Sequence, residues 1–206
     1  KPKKALLPAP TFAEYEQALK TAGCHISRYM LQERDGFALK DEFLSHLEEI
    51  EPEILFLCNP NNPTGRLISQ PLLRQIAELC QERGILLVVD ECFVDFLEEP
   101  EQHTVKDLTA DHSCLFILRA FTKNYAMPGL RLGYGICSDR ALLDQMFEAG
   151  QPWSVSLVAQ QAGLQALKEE AYLHQARELV FREKARLASG LEKLGYKVFS
   201  PAANYI

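Results

Sequence analysis

The sequence lacks the features that mark several common protein classes. No apolar run approaches the roughly 20 residues of a membrane-spanning helix, and Pro8 and Pro10 interrupt the apolar segment near the start, where a signal sequence would need one. No internal repeat of fixed period is present. Lys and Arg number 22 against 28 Asp and Glu, which gives a net charge of −6. These absences argue against a membrane protein, a repeat array and a nucleic-acid-binding protein, because nucleic acids select basic surfaces.

The sequence also lacks metal and nucleotide signatures. Its six cysteines form no CxxC pair, and no histidine lies at zinc-ligand spacing from them. Most of them lie in apolar runs, where a free cysteine behaves as a small hydrophobic residue. We therefore expect reduced cysteines, no metal site and a cytoplasmic location. No GxGxxG or P-loop pattern follows an apolar run, which disfavours a nucleotide-binding domain.

Short apolar runs alternate with helical patterns along the first two thirds of the chain. Residues 54–58, 85–90 and 114–118 read as strands buried on both faces, and residues 131–136 as a weaker fourth strand. The amphipathic stretch 69–83 lies between the first two and predicts a helix. Strands and helices that alternate at this spacing predict an α/β fold with a mostly parallel sheet.

The two ends of the chain give weaker predictions. Thr11 and Glu14 have the spacing of a capping box at a helix start. Residues 139–194 are predicted to be almost entirely helical, and residues 196–199 and 203–206 to be strands that start a different unit.

Three polar stretches lie at the ends of the three apolar runs. They are residues 59–65, Asp90 with its neighbour Glu91, and residues 119–123. In a parallel sheet, ligands bind beyond the carboxyl ends of the strands. The coincidence of all three stretches at such ends therefore predicts a binding site there.

Three polar residues of these stretches, and Arg131 further along the chain, each have a structural and a functional interpretation. Asp90 is either a cap or ion-pair partner at the sheet edge, or it holds a cationic ligand atom. Lys123 is either a surface lysine or an amine that forms a Schiff base. Thr122 and Arg131 are either ordinary surface residues or, together, a phosphate-binding pair.

Three motifs in this order resemble the fold-type I, pyridoxal-phosphate-dependent aminotransferase superfamily. They are NPNNPTG at 59–65, VVDECF at 88–93 and TKNYAMPGLRLGY at 122–134. The resemblance implies a three-layer α/β sandwich with a mostly parallel central sheet and pyridoxal 5'-phosphate as the cofactor. It also implies that residues 1–170 form the large cofactor-binding domain, and that residues 171–206 form an interdomain helix and the start of a small α+β domain.

The resemblance assigns roles to six residues. Lys123 would form the Schiff base with the cofactor, and Asp90 would pair with its pyridine nitrogen, so that both are catalytic. The other cofactor contacts would be Asn62 to the phenolic oxygen, Thr122 and Arg131 to the phosphate, and Phe12 to the ring face. One departure from the family is Ala120, which stands where a phosphate-binding Ser or Thr is usual.

Within the superfamily, several stretches resemble the threonine-phosphate decarboxylases, which are related to histidinol-phosphate aminotransferases. Phe93 stands where the latter usually carry Tyr, and QPWSV at 151–155 also favours the decarboxylases. This branch decarboxylates L-threonine O-3-phosphate to (R)-1-amino-2-propanol O-2-phosphate in cobalamin biosynthesis. A histidinol-phosphate-type or aromatic aminotransferase and a non-catalytic relative that keeps the fold stay open. Trp153 itself is either part of this motif's function or a core aromatic.

The resemblance finally implies that the sequence is a piece of a longer protein. The N-terminal segment with its phosphate-cradling loop, and most of the small domain with its carboxylate-binding arginine, would lie outside it. We therefore expect this piece alone to be inactive. We expect the whole protein to be a homodimer that acts on a phosphorylated amino acid, with no nucleic acid or membrane as a partner.

Overall fold

The computed structural model describes residues 1–199 and 201–206. Its six strands in this range are β1 Lys4–Ala9, β2 His25–Met30, β3 Ile54–Cys58, β4 Leu86–Asp90, β5 Leu115–Ala120 and β6 Gly133–Ile136. Its helices are α1 Ala13–Thr21, α2 Glu42–Ile50, α3 Gln70–Arg83, α4 Phe121–Asn124, α5 Arg140–Ala149, α6 Leu157–Ala166 and α7 Glu170–Lys193. The strands form one sheet in the order β2-β1-β3-β4-β5-β6.

The sheet is parallel except at one edge. β1 to β5 pair in parallel, whereas β6 pairs antiparallel to β5. Cys58 lies beside Asp90, and Asp90 lies beside Leu118, in the registers of β3, β4 and β5. The carboxyl ends of these three strands therefore meet at one edge of the sheet, as the sequence predicted.

Two apolar layers cover the sheet, one on each face. Leu55, Leu57 and Leu87 face α2 and α3 in one cluster, and Leu57 is fully buried. Leu7 and Val88 belong to the other cluster, to which α1 contributes Tyr15 and Leu19 and against which Leu142 and Leu143 of α5 pack. Helix, sheet and helix thus form three layers, because alternate side chains of each strand face opposite sides.

Near the start, one strand has no signal in the sequence and one prediction is wrong. Residues 4–8 belong to β1, which lies between β2 and β3. The predicted capping box is wrong: α1 begins at Ala13, with Phe12 at the cap position. The Thr11 hydroxyl instead donates to Asn61 Oδ1 at 2.8 Å. The Thr11 hydroxyl therefore bonds to a residue distant in the sequence and not to the backbone at the start of α1.

The prediction of two strands near the C-terminus is also wrong. Residues 196–199 and 203–206 form no strand, and the segment after α7 runs against the loop that follows β3. Its Ala202 N–H donates to Gly65 O at 2.8 Å, and Lys184 Nζ donates to Pro201 O at 3.1 Å. The division into domains 1–170 and 171–206 stays a prediction.

Four further observations concern the described residues. All six cysteines are free, and Cys58 and Cys80 are buried. No group of three His, Cys, Asp or Glu in this part of the chain is arranged to hold a metal ion. None of the helices there combines the length and apolar character that a bilayer crossing requires. Trp153 is 96% exposed, so its interpretation as a core aromatic is wrong.

Candidate active site

A cleft of about 260 Å³ opens where β3, β4 and β5 end. It is lined by Phe12, Tyr15, Cys58, Asn62, Asp90, Cys92, Phe93, Ala120, Thr122, Lys123 and Arg131. All six residues that were predicted from the sequence are among them. Most of them lie at or just after the carboxyl ends of β3, β4 and β5, which parallel pairing brings together.

Asp90 ends β4 with its carboxylate at the cleft. Its Oδ2 accepts a hydrogen bond of 2.6 Å from the Tyr15 hydroxyl, and its Oδ1 accepts one of 2.9 Å from the Cys92 N–H. Both donors are neutral, and the ion pairs of the described residues do not include Asp90. The carboxylate is therefore oriented but keeps a negative charge that can pair with a cationic ligand atom.

Tyr15 is a site residue that the sequence did not indicate. It lies on α1 and is only 5% exposed, stacked on Phe56 with ring centroids 5.2 Å apart. Burial, followed by its acidic neighbours, raises the pKa of the Tyr15 phenol, which keeps it a hydrogen-bond donor. The sequence carries no signal for a partner 75 positions away.

Lys123 lies in α4, the single helical turn that follows β5 directly. Its side chain is exposed, and its Nζ lies 5.7 Å from the centroid of the Phe93 ring. Arg131 lines the same cleft from a left-handed backbone conformation with φ of 53°, and its Nη1 donates to Pro128 O at 3.0 Å. The cleft thus holds two cationic side chains together with the Asp90 carboxylate.

The three asparagines of the NPNNPTG loop have different roles. Asn59 Oδ1 accepts the Ile68 N–H at 2.9 Å, and Asn61 Nδ2 donates to Pro10 O at 3.0 Å, so both hold the loop. Only Asn62 of the three lines the cleft. The peptide bonds Asn59–Pro60 and Asn62–Pro63 are both cis.

Gly65 closes this loop where another side chain would not fit. Its φ is +66°, and a Cβ would lie 2.5 Å from Pro201 Cβ and 2.8 Å from Pro201 Cα. Glycine therefore allows the C-terminal segment to approach the loop. Tyr205 of that segment donates its hydroxyl to Asn61 O at 2.9 Å and packs edge-on against Phe93 at 5.0 Å.

Two thiols also reach the cleft but are poor nucleophiles there. Burial, the largest effect, raises the pKa of Cys58 to about 12. Burial and then the charge of Asp90 also raise the pKa of Cys92. Because the thiolate is the reactive form, both cysteines stay protonated and inert. Neither thiol is therefore a candidate nucleophile of the cleft.

Comparisons with known proteins show which family the chain resembles. The family model described as aminotransferase class I and II matches residues 1–206. The chain is similar to the threonine-phosphate decarboxylase of Salmonella typhimurium, with 41% identity over 100% of this chain and 56% of that protein. It is also similar to the histidinol-phosphate aminotransferase of Ruminiclostridium cellulolyticum, with 30% identity over 98% of this chain and 55% of that protein.

The solved structures support the fold as well. The histidinol-phosphate aminotransferase of Clostridium acetobutylicum superimposes with a TM-score of 0.90 at 30% identity, over 98% of this chain and 60% of that one. The chain spans a little over half the length of the curated relatives named above. The predicted fold, the large domain of a fold-type I aminotransferase, is confirmed. The chain belongs to the aminotransferase class I and II family.

Proposed function

We propose that the intact protein binds pyridoxal 5'-phosphate in the cleft at the ends of β3, β4 and β5. The family consists of enzymes that depend on this cofactor. The observation that carries the proposal is the side-chain set of the cleft: one amine, one carboxylate with neutral donors only, one guanidinium and an aromatic face. This set suits an aromatic aldehyde that has a basic ring nitrogen and a phosphate group.

The residues divide the binding of the cofactor between them. Asp90 would pair with the protonated ring nitrogen, because its carboxylate is the unneutralised anion of the cleft. Thr122 and Arg131 would hold the phosphate, Asn62 the phenolic oxygen, and Phe12 the ring face, since its side chain is 40% exposed there. Lys123 Nζ would attach the aldehyde. Ala120 offers no hydroxyl, which leaves the phosphate with one contact fewer than is usual in the family.

The bound cofactor supplies an electron sink for the bond that breaks at the substrate α-carbon. Two residues of the chain would keep the ring nitrogen positively charged and transfer the proton. Asp90 would stabilise the positive charge on the ring nitrogen. Lys123 Nζ would act as the general acid that gives a proton to the substrate α-carbon.

The reaction that we propose is decarboxylation of L-threonine O-3-phosphate to (R)-1-amino-2-propanol O-2-phosphate, within cobalamin biosynthesis. It is supported by the 41% identity to the Salmonella enzyme over the whole chain. A further support is Phe93, which places an apolar ring beside Lys123 instead of a phenol. A phosphorylated amino acid would be the small-molecule partner, and a homodimer in the cytoplasm the working form.

A second candidate is a histidinol-phosphate-type or aromatic aminotransferase. It is favoured by the superposition on the Clostridium acetobutylicum enzyme at 30% identity. A third is a protein that binds the cofactor without catalysis, for which Ala120 is the one departure in the cleft.

A turnover assay on the intact protein separates the candidates. The protein is loaded with pyridoxal phosphate and given L-threonine O-3-phosphate, and carbon dioxide release is measured alongside 2-oxoglutarate consumption. We expect carbon dioxide without 2-oxoglutarate consumption. If 2-oxoglutarate is consumed when histidinol phosphate or an aromatic amino acid is supplied as the amino donor, the protein is an aminotransferase instead. Cofactor binding with neither reaction would establish the third candidate.

The role of Lys123 has its own test. Lys123→Ala should abolish the near-visible absorbance band of the bound cofactor, because the amine that attaches it is gone. The matched control is Lys168→Ala, since Lys168 is exposed, contacts Gln165 and lies outside the cleft. The assignment is refuted by a Lys123→Ala protein whose band equals that of the control.

A further inference from the structure

A buried polar network lies directly beside the cleft and contains the residue next to Asp90. The Glu91 carboxylate is fully buried. It accepts hydrogen bonds from Thr104 Oγ1 at 2.7 Å and from the Val105 N–H at 2.8 Å. It also pairs with Arg119, whose Nη2 lies 2.7 Å and whose Nε lies 3.0 Å from Glu91 Oε2. The strand end that carries Asp90 is thus tied to Arg119, near the end of β5.

Arg119 continues the network toward α4, the single helical turn that carries Lys123 and is called the lysine turn below. Its side chain is 11% exposed, and its Nη1 donates to Asp95 Oδ1 at 3.1 Å. The other oxygen, Asp95 Oδ2, accepts a 2.7 Å hydrogen bond from Asn124 Nδ2. Asn124 directly follows Lys123 and is only 7% exposed. A continuous chain of buried and half-buried contacts therefore joins the neighbour of Asp90 to the neighbour of Lys123.

A further contact fixes the middle of this chain. Arg177 of α7 donates its Nε to the backbone carbonyl of Asp95 at 2.7 Å. Asp95 therefore receives Arg119 and Asn124 on its carboxylate and Arg177 on its backbone. It is the point at which β5, α4 and α7 are held together.

The lysine turn needs such support. α4 has four residues, and one helical turn is unstable by itself because its few hydrogen bonds do not offset the cost of nucleation. The Lys123 side chain is exposed and makes no hydrogen bond with the other described residues. Its position is therefore set by its buried neighbours, Phe121 in the core and Asn124 in the network.

The chemistry of Arg119 also fits a positioning role. Its guanidinium contacts three acceptors, namely Glu91, Asp95 and Thr104. A planar fork of donors can satisfy three acceptors in fixed directions, which a lysine amine at the end of a flexible stem does not reproduce.

We propose that Arg119 and Asn124 are positioning residues that, through Glu91 and Asp95, hold the turn carrying Lys123 in register with the strand end carrying Asp90. Neither Arg119 nor Asn124 lines the cleft. This inference rests on the proposed function only for the roles of Lys123 and Asp90. The mechanical link itself is independent of the cofactor.

The test uses Asn124→Ala and Arg119→Lys in the intact protein, with Thr104→Val as the matched control. Thr104 donates to Glu91 and accepts from Arg119, but it does not lie on the path from Glu91 to Asn124. Amide hydrogen exchange is followed in residues 121–126 and, as an internal reference, in β3 and β4. The cofactor-free protein is used first, and the cofactor's dissociation constant and near-visible band are measured afterwards.

We expect exchange in residues 121–126 to rise about tenfold or more in both variants, because a hydrogen bond to a charged group is lost and local opening becomes easier. Exchange in β3 and β4 should stay at the wild-type level. Cofactor affinity should fall by a similar factor, with a weaker near-visible band. Thr104→Val should lower the unfolding midpoint without a selective change in residues 121–126.

The proposal is overturned if the exchange of residues 121–126 changes no more than that of β3 and β4, or changes equally in Thr104→Val. It is also overturned if exchange rises selectively while the affinity and band stay at wild-type values. A wild-type protein that binds no pyridoxal phosphate would refute the proposed function instead. The exchange measurement would still decide the mechanical link.

Discussion

The hydrogen bond between Tyr15 and Asp90 leads to the sharpest prediction on stability. Tyr15→Phe removes one oxygen atom and leaves the ring in place between Phe12 and Phe56. The atom that is lost donates the 2.6 Å hydrogen bond to Asp90 Oδ2. The carboxylate keeps one protein donor, the Cys92 N–H.

The size of the effect follows from the charge of the acceptor. A hydrogen bond to a charged group contributes about 1.5–3 kcal/mol, so Tyr15→Phe should lower the free energy of unfolding by roughly that amount. The matched control is Tyr29→Phe. The Tyr29 ring packs on Phe43 and His46, and its hydroxyl makes no hydrogen bond to the other described residues. Its loss should cost less than about 0.5 kcal/mol, as for a change away from any special feature.

Urea unfolding of the intact, cofactor-free protein measures both variants. The slope of the unfolding free energy against urea should match that of the wild type in each, so that the shift in midpoint reports stability alone. Because the pKa of the Tyr15 phenol is raised, the difference should be constant from pH 6 to about 9, where the phenol stays protonated. Equal midpoints for the two variants would refute the reasoning.

Three further predictions follow from individual contacts. A Cβ at Gly135 would overlap a buried aromatic ring, whereas one at Gly129 meets nothing, so Gly135→Ala should cost about 1–3 kcal/mol in thermal unfolding and Gly129→Ala much less. The pKa of Glu16 is lowered to about 2 by its hydrogen bonds to Arg28 and Lys20. Its stabilising effect should therefore be complete above the ordinary value of 4.5 and be lost as pH falls toward 2, which a comparison of Glu16→Gln with the wild type at several pH values checks. Asp90→Asn should abolish the cofactor band and cost about 1 kcal/mol in stability, because the acceptor of the Tyr15 hydrogen bond loses its charge, whereas Glu91→Gln should cost about 3 kcal/mol, because it breaks a buried ion pair; equal stability of the two variants would contradict this.

The sheet was predictable where the sequence pattern has one interpretation. The runs 54–58, 85–90 and 114–118 are short, apolar and followed by turn-forming or polar residues, so each indicated a buried strand, and β3, β4 and β5 confirm them. β1 was not predicted, because its six residues are interrupted by Pro8 and show no alternation of apolar and polar side chains. Its strand character comes from pairing with β2 and β3 on either side.

The C-terminal segment failed for a related reason. Residues 196–199 and 203–206 have strand-like composition, but a strand needs a partner, and none of the described strands pairs with them. The segment binds the NPNNPTG loop through Ala202 and Tyr205 instead. Composition alone does not distinguish these outcomes.

The sequence predicts more of the site residues than of the details of the fold, because most site residues follow the ends of strands. Position in a parallel sheet brought Asn62, Asp90 and Lys123 into one cleft, as the sequence implied. The residues that were missed act over distances that the sequence does not reveal. Tyr15 meets Asp90 across 75 positions, and Arg177 meets Asp95 across 82. Long-range contacts of single polar atoms leave no periodic signal.

The adjacent pair Asp90 and Glu91 explains why one carboxylate of the two suits a ligand. Successive side chains at a strand end point to opposite sides, and here the two sides differ in charge. Glu91 is fully buried, and although burial raises its pKa, Arg119 opposes that shift and pairs with it, so its charge is already committed inside the protein. Asp90 meets only neutral donors and faces the cleft. The Glu91 carboxylate therefore stabilises the fold, whereas the Asp90 carboxylate stays available to a cationic ligand atom.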